Sequence, residues 1–256
     1  MIDLHSHLLP AVDDGARTVE RAVAVLETMA GRGVTAICLT PHLTATEAEL
    51  GVPPGHDEAF ARLIAAAPPA PRLHRGAEVM LDRPLGRAAA TNPGVRLSGS
   101  RYILVEFPRM VAAATVSHAL AHVVGLGLVP VLAHPERYSA CTAESVKRWR
   151  ALGGVMQVDA TTLLSPRRRG DRARRLVTEG LADILAADNH GDGRLLETGR
   201  AMLCEHGGTE QADLLTVRNP AAILADGLVD SVPPIAFRVS VLERLRQLWY
   251  QAGEET

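Results

Sequence analysis

The chain has 256 residues, of which 47% are apolar, and its formal net charge is −2. This composition supports a substantial core and gives no global reason to expect nucleic acid or a charged membrane surface as the partner. No apolar run approaches the ~18 residues of a transmembrane helix, and the acidic, His-rich start does not resemble a signal peptide. The three cysteines, Cys38, Cys141 and Cys204, lack paired spacing, which is typical of reduced thiols, so we expect a cytoplasmic protein without membrane insertion.

Apolar runs and helical periodicities alternate along the chain without an obvious linker. Strands are predicted at seven segments: 1–7, 34–40, 71–78, 101–107, 128–133, 155–159 and 182–187. Helices are predicted from residue 18 to the glycines at 31 and 33, and at 57–67, 113–126, 143–152, 172–179, 195–205, 219–224 and 237–251. The alternation predicts one α/β domain over residues 1–256 with a parallel arrangement of strands.

Almost every predicted strand ends in a side chain that can bind a metal ion. These side chains are His5, His7, His42, Glu78, Glu106, His134, Asp159, Asp188 and His190. In a parallel α/β barrel the carboxyl ends of all strands open onto one face, where active sites lie. Imidazoles and carboxylates without thiolates suit Mn, Fe, Zn or Mg, and so large a set predicts two or three divalent ions.

The first fifteen residues open this set. His5 and His7 are two residues apart in an extended strand, so their imidazoles point to the same side. Asp13 and Asp14 precede Gly15 and either cap the next helix or return to the same point. We expect one of these aspartates, with Asp14 favoured, to bind metal, and the other to support the ligands. A supporting role is also expected for Asp159.

The sequence lacks the complete motifs of other common classes of catalytic site. No cysteine is followed by arginine at the spacing of a cysteine-based phosphatase, and Gly-x-Ser-x-Gly, P-loop and Gly-x-Gly-x-x-Gly motifs are absent. His118 and His122 have the spacing of a zinc-binding helix, but Ala119 stands where an HExxH site needs Glu, which predicts a helix surface. The arginine-rich segment 167–175 is either a solvated helix face or a docking site for an acidic partner.

Several segments together resemble a known family. They are HSHLLPAVDDGA at the start, TPH at 40–42, RGAEVMLD at 75–82, ILVEFP at 103–108, HPERY at 134–138, DNH at 188–190 and NPAAIL at 219–224. In this order and spacing they resemble the bacterial metal-dependent protein-tyrosine phosphatases of capsule and exopolysaccharide operons, the CpsB/CapC type. These enzymes belong to the polymerase and histidinol phosphatase (PHP) superfamily. The resemblance extends from residue 1 to about residue 225.

The resemblance implies a distorted (β/α)7 barrel of the TIM type with a trinuclear centre, commonly of Mn or Fe. Carried over by motif, it assigns the first metal to His5, His7, Glu106 and Asp188, the second to Glu78 and His134, and the third to His42, His190 and the Asp13/Asp14 turn. Arg137 of HPER would face the phosphate, and Arg194 is the candidate for a second phosphate-binding arginine. The family pattern has alanine where Asn189 stands and asparagine where Asp159 stands.

The implied function is hydrolysis of protein phosphotyrosine by metal-activated hydroxide. The implied substrate is the tyrosine-rich tail of a bacterial tyrosine kinase that controls polysaccharide synthesis. Phe107, Tyr138 and Met80 are the candidate platforms for the substrate ring. A histidinol-phosphate phosphatase or another PHP phosphoesterase is the main alternative. A PHP nuclease is disfavoured by the charge, and a non-catalytic regulator by the intact set of candidate ligands.

Overall fold

Nine short strands, all paired in parallel, alternate with helices in the computed structural model, which describes residues 1–237. The strands are β1 (Ile2–Asp3), β2 (Ala36–Leu39), β3 (His42–Thr44), β4 (Arg72–Arg75), β5 (Glu78–Met80), β6 (Tyr102–Glu106), β7 (Val129–Ala133), β8 (Val155–Asp159) and β9 (Ile184–Ala186). The mixed α/β architecture with parallel strands agrees with the sequence prediction. The helix predicted at 237–251 lies outside the described residues.

The strands form two sheets, ordered β1-β2-β4 and β3-β5-β6-β7-β8-β9. A parallel bridge pairs Ser6, beyond β1, with Asn189, beyond β9. Next to this bridge, the backbone N–H of His7 donates to the carbonyl of Asn189 at 2.8 Å. The first and last strands are therefore connected through the residues that follow them.

The strands predicted at 34–40 and 71–78 are present as β2 and β4, and each is followed by a further short strand, β3 or β5, which extends beyond the predicted segment. Pro41, which has no N–H to donate, separates β2 from β3, and Gly76 and Ala77 separate β4 from β5. Hydrogen bonds bridge the interruption: Gly76 N–H donates to Leu39 at 3.0 Å, and Glu78 N–H donates to Pro41 at 3.1 Å. Neighbouring segments therefore keep their parallel order, and the second strand of each begins with a metal-competent side chain, His42 in β3 and Glu78 in β5.

The helices are α1 (Val19–Gly31), α2 (Ala45–Leu50), α3 (Pro54–Ala66), α4 (Arg87–Thr91), α5 (Ala113–Gly125), α6 (Ala143–Ala151), α7 (Arg168–Thr178), α8 (Leu196–Glu205), α9 (Thr209–Asp213) and α10 (Asn219–Leu224). A π-helical turn, Leu214–Arg218, joins α9 to α10. Helix α7 begins four residues earlier than predicted, because its first turn places only Gly170 in the core and so shows no apolar periodicity. Helices α2 and α9 are too short for a periodic pattern, and we did not predict them.

The central strands are buried along their whole length, as the apolar runs of parallel strands require. All residues of β8 and β9 are buried, and β6 is buried except at Glu106, its last residue. Helices pack around these strands; α1 buries Ala22, Leu26 and Met29 on one face. Within residues 1–237, no helix is long and apolar enough to cross a lipid bilayer.

Candidate metal centre

Five histidines and four carboxylates meet at the carboxyl ends of the strands. Their ligand atoms form four groups, in each of which the atoms lie within 4.8 Å of one another. The groups are His5, Glu78 and His134; His5, His7 and Asp188; His42, Glu78 and Glu106; and His7, Asp14, His42 and His190. All predicted metal-binding residues except Asp13 belong to at least one group.

Glu78 lies at the centre of the cluster and is almost fully buried. Its Oε2 atom is 3.2 Å from His5 Nε2, 3.3 Å from His7 Nε2 and 3.1 Å from His42 Nδ1. Its Oε1 atom is 3.0 Å from His134 Nε2. Glu78 therefore faces four imidazoles, more than any other carboxylate of the cluster.

Asp188 is a second carboxylate that contacts both N-terminal histidines. Its Oδ1 atom is 3.3 Å from both His5 Nε2 and His7 Nε2, and 3.5 Å from His190 Nδ1. The two histidine Nε2 atoms are themselves 3.2 Å apart. Two imidazole nitrogens and a carboxylate oxygen thus converge on one point, the arrangement expected when His5 and His7 share a strand face.

Glu106 lies in a different group from the one that the family resemblance implies. Its Oε1 atom is 3.2 Å from His42 Nδ1, and its Oε2 atom is 3.9 Å from His134 Nε2. It does not share a group with His5 and His7. The strand order is consistent with this placement, because β5, which carries Glu78, lies between β3, which carries His42, and β6, which carries Glu106.

The two aspartates of the early turn differ in position. Asp14 Oδ1 is 3.5 Å from His42 Nε2 and 3.5 Å from His190 Nε2, so it belongs to a metal-competent group. Asp13 instead contacts His7 from behind, with 2.8 Å between Asp13 Oδ2 and His7 Nδ1. This hydrogen bond fixes the tautomer that leaves His7 Nε2 free to bind metal, a common arrangement around metal sites.

The two predicted arginines flank Asp188. Arg137 Nη2 donates to Asp159 Oδ2 at 2.6 Å and also to Asp188 Oδ2. Arg194 Nη1 is 3.5 Å from the same Asp188 oxygen, and its Nε donates to Asp192 at 2.9 Å. Asp159, for which we predicted a supporting role, orients Arg137.

Two side chains that contact His5 were missed in the sequence. Gln157 Oε1 accepts from His5 Nδ1 at 3.0 Å, which directs His5 Nε2 into the cluster. Asp3 accepts from the backbone N–H groups of Ala187 and His5. Burial raises the pKa of Asp3 to about 7, although both hydrogen bonds oppose the rise. A polar residue inside the apolar strand VMQVD was the available sign for Gln157.

Two candidate ligands have strained backbones. His134 has φ 33° and Asp188 has φ 49°, in the left-handed region that residues other than glycine rarely adopt. Such outliers concentrate at functional sites, where surrounding structure holds them in place. His134 directly follows β7 and Asp188 lies two residues beyond β9, so each left-handed residue stands where a buried strand ends beside the cluster.

The electrostatics of the cluster favour cations. Burial opposes protonation of His7, but contacts with three carboxylates outweigh it and raise the pKa of His7 well above its ordinary value. The same balance, with Glu106 and Glu78 as partners, raises the pKa of His42 to about 10. Buried carboxylates that draw protons onto histidines create a site that divalent ions can occupy in place of those protons. The nitrogen and oxygen donor set suits Mn, Fe or Zn.

Two of the three thiols are unsuited to nucleophilic catalysis. Burial raises the pKa of the Cys38 thiol strongly and that of Cys141 to about 12, so neither forms a thiolate readily. Of the platforms suggested for a substrate ring, Phe107 and Tyr138 are buried and not available for stacking, which corrects that expectation. His118 and His122 are exposed on α5, as predicted.

Comparison with known proteins places the chain in a family. Residues 1–225 match the family model described as "Capsular polysaccharide synthesis, CpsB/CapC". The chain belongs to the CpsB/CapC family. The match covers all candidate ligands, so the resemblance noted in the sequence is confirmed.

Similar proteins include two streptococcal members of the CpsB/CapC family. The chain is 27% identical over 242 residues to the tyrosine-protein phosphatase CpsB of Streptococcus agalactiae, covering 88% of this chain and 98% of the relative. It is 29% identical over 252 residues to the tyrosine-protein phosphatase CpsB of Streptococcus pneumoniae, covering 90% of this chain and 100% of the relative.

Solved structures show the same fold. A structure from work on YwqE of Bacillus subtilis and CpsB of Streptococcus pneumoniae, described as metal-dependent tyrosine phosphatases, aligns with a TM-score of 0.77 at 23% identity, covering 93% of this chain and 100% of the other. The phosphotriesterase of Mycobacterium tuberculosis aligns with a TM-score of 0.57 at 15% identity, covering 89% of this chain and 95% of the phosphotriesterase chain.

Proposed function

We propose that the chain is a metal-dependent protein-tyrosine phosphatase. The observation that carries this proposal is the contact of Arg137 and Arg194 with Asp188, which itself belongs to a metal-competent group. A phosphoryl group placed at the metal ions would therefore meet two guanidinium groups, the preferred partners of phosphate oxygens. Membership of the CpsB/CapC family, with relatives named as tyrosine-protein phosphatases, supports the same reaction.

The proposal includes the architecture of the site. The bridge between Ser6 and Asn189 supports a strand order that closes into a distorted (β/α)7 barrel, with residues 1–256 as a single domain. The four ligand groups support two or three ions, with Mn or Fe favoured over Zn or Mg. The proposed ligands are His5, His7, Asp14, His42, Glu78, Glu106, His134, Asp188 and His190, with Asp13 positioning His7.

When bound, the ions would supply Lewis-acid stabilisation of phosphoryl charge and a water nucleophile at neutral pH. The protein's own residues bind and orient the phosphoryl group. Arg137, held by Asp159, fixes its position, and Arg194 approaches from the adjacent loop. The tyrosyl leaving group has a conjugate-acid pKa of ~10, so it needs less protonation than an alkyl alcohol would. The thiols of Cys38 and Cys141 are buried, so neither is available to form a cysteinyl phosphate.

The proposed substrate is phosphotyrosine on a protein, with the tyrosine-rich tail of a bacterial tyrosine kinase as the partner. The capsular polysaccharide description of the family supports this assignment. Histidinol phosphate is the competing substrate, because a metal centre with two phosphate-binding arginines does not by itself select between the two esters.

The first test is turnover of a phosphotyrosine peptide by the full chain. We expect activity to disappear with a chelator and to return with added Mn. His134→Ala should lower turnover by about 1,000-fold, because it removes a ligand from the buried group with His5 and Glu78. The matched control is His118→Ala, which removes an exposed histidine from α5 and should leave turnover unchanged.

Two results would contradict parts of the proposal. Full activity and metal content in His134→Ala would exclude the assigned ligands. Hydrolysis of histidinol phosphate, with none of phosphotyrosine, would keep the metal centre and replace the substrate.

Asn189 should be needed to position Arg194. Its Oδ1 atom accepts from Gly191 N–H at 2.8 Å and from Asp192 N–H at 3.3 Å, and its Nδ2 atom donates to the carbonyl of Arg194. Asn189→Ala removes these hydrogen bonds from the loop that carries Arg194. We expect kcat/KM for the phosphotyrosine peptide to fall about tenfold, with bound metal unchanged.

The matched control is Asn92→Ala. Asn92 makes a turn hydrogen bond of the same kind, accepting from Gly94 N–H at 2.9 Å, in a part of the chain that contributes nothing to the metal groups. Unchanged kcat/KM in Asn189→Ala would show that the loop positions Arg194 without this side chain.

A further inference from the structure

A cavity of about 350 Å³ opens beside the metal centre, and its lining is strongly basic. Four arginines, Arg109, Arg137, Arg169 and Arg194, face one aspartate, Asp159. Asp159 is already paired with Arg137, so the remaining charge of the lining is positive. The volume lies within the range of small-molecule sites, which is more space than one phosphoryl group needs.

The four arginines fall into two pairs. Arg137 and Arg194 contact Asp188 of the metal centre. Arg109 and Arg169 are exposed, and within residues 1–237 their guanidinium groups have no hydrogen-bond or ion-pair partner. The second pair is therefore available to a ligand that enters the cavity.

Arg169 differs from the other arginines of its helix whose contacts are defined. Arg172 donates to the carbonyls of Glu136 and Tyr138, at 3.2 and 2.9 Å, which attaches α7 to the segment that carries Arg137. Arg174 donates to the carbonyl of Leu163 at 2.6 Å. These arginines support the fold, whereas Arg169, almost one turn before Arg172, lines the cavity.

Arg109 is held near the same segment by its backbone. Its carbonyl accepts from Ser139 N–H at 2.8 Å, two residues beyond Arg137. Arg109 follows β6, and Arg169 lies in the first turn of α7, so separate elements bring the two side chains to one cavity. The backbone positions of both arginines are held by these backbone and helix contacts and do not depend on an ion pair between their side chains.

We propose that Arg109 and Arg169 form a subsite for a second acidic group of the substrate, a carboxylate or phosphate on a residue close to the phosphotyrosine. This inference rests on the proposed phosphatase function. Guanidinium groups bind both kinds of anion through paired N–H donors. While Arg137 and Arg194 hold the phosphoryl group that is removed, the other two arginines select peptides with a neighbouring negative charge.

The test uses the Mn-loaded full chain and phosphotyrosine peptides that differ at one flanking position, which carries alanine, glutamate or phosphoserine. We expect kcat/KM to be about tenfold higher for the glutamate and phosphoserine peptides than for the alanine peptide, mainly through KM. Arg109→Gln combined with Arg169→Gln should remove this preference and leave hydrolysis of free phosphotyrosine unchanged. Comparing the two acidic peptides identifies carboxylate or phosphate as the preferred group.

The matched control is Arg148→Gln, an exposed arginine of α6 outside the cavity, which should keep the preference. A preference that persists in the Arg109/Arg169 variant would overturn the inference and leave the phosphatase function intact. If no phosphotyrosine substrate is hydrolysed, the proposed function fails. In that case fluorescence anisotropy of the labelled peptides decides the inference: tighter binding of the acidic peptides, lost in the double variant, supports it, and equal binding overturns it.

Discussion

Glu78→Gln should remove metal from the purified protein and lower turnover of a phosphotyrosine peptide by about 1,000-fold. Glu78 is shared by two of the ligand groups, one with His5 and His134 and the other with His42 and Glu106. A change at this residue therefore affects more of the centre than a change at Glu106, which belongs to one group.

The reason is the charge that Glu78 supplies at the centre of the cluster. Burial alone would raise the pKa of Glu78, but His5, His134 and His42 outweigh burial and hold it well below its ordinary value. Glu78 is therefore ionised and buried among imidazoles. A glutamine has the same shape without the charge, and one of its two terminal atoms becomes an N–H donor that faces ligand nitrogens.

Metal content after gel filtration and peptide turnover would be measured on the same samples. The matched control is Glu136→Gln, because Glu136 is also fully buried and belongs to none of the ligand groups. Burial and the nearby Asp159 raise the pKa of Glu136 to about 8, so it is mostly protonated at neutral pH and the substitution changes little charge. Metal retained in Glu78→Gln at the wild-type level would contradict the central role assigned to Glu78.

The sequence was most informative about where the site would lie. Glu106 ends β6 and His134 directly follows β7, while His42 and Glu78 lie three residues beyond the ends of β2 and β4, as the first residues of β3 and β5. The carboxyl ends of parallel strands meet on one side. His5 and His190 are 185 positions apart in the sequence but belong to one cluster. The positions of the strands were therefore sufficient to predict that these side chains converge. The exact strand boundaries did not matter, because a shift of one or two residues leaves these side chains on the same side.

The sequence was less informative about how the ligands divide into groups. The predicted strands show at which end of the sheet a residue lies. Which ligand side chains contact one another also depends on the order of the strands and on backbone torsion angles. His42 and Glu106 meet because β3, β5 and β6 are neighbours, and Asp188 reaches His5 through a left-handed φ of 49°. Gln157 was missed because a lone amide in a strand has no repeat or motif that marks its contact with His5.

Arg137→Lys should lower kcat/KM for a phosphotyrosine peptide by about 100-fold to 1,000-fold while leaving bound metal unchanged. Arg137 and Arg194 both contact Asp188 and line the basic cavity, but only Arg137 of the two also pairs with Asp159. Arg137 is mostly buried, and its charge is compensated by Asp159 and Asp188. Lysine keeps the charge but not the planar fork that binds a carboxylate and a phosphoryl oxygen together.

The expected separation of activity from metal content distinguishes Arg137 from Glu78. Burial lowers the pKa of the Arg137 guanidinium, but Asp188 and Asp159 outweigh burial and raise it, so the group stays charged at every accessible pH. A lysine ammonium at this position can pair with only part of the same set of oxygens. The loss should appear with peptide and with free phosphotyrosine alike, because both present the same phosphoryl group.

Arg150→Lys provides the matched control. Arg150 donates to Asp183 at 2.7 Å and is 27% exposed, against 22% for Arg137, but neither Arg150 nor Asp183 belongs to the ligand groups or lines the basic cavity. This variant should lower the free energy of unfolding without changing kcat/KM per folded molecule. If Arg137→Lys behaved in the same way, Arg137 would be part of the scaffold, and binding of the phosphoryl group would have to be assigned to Arg194 and the metal ions.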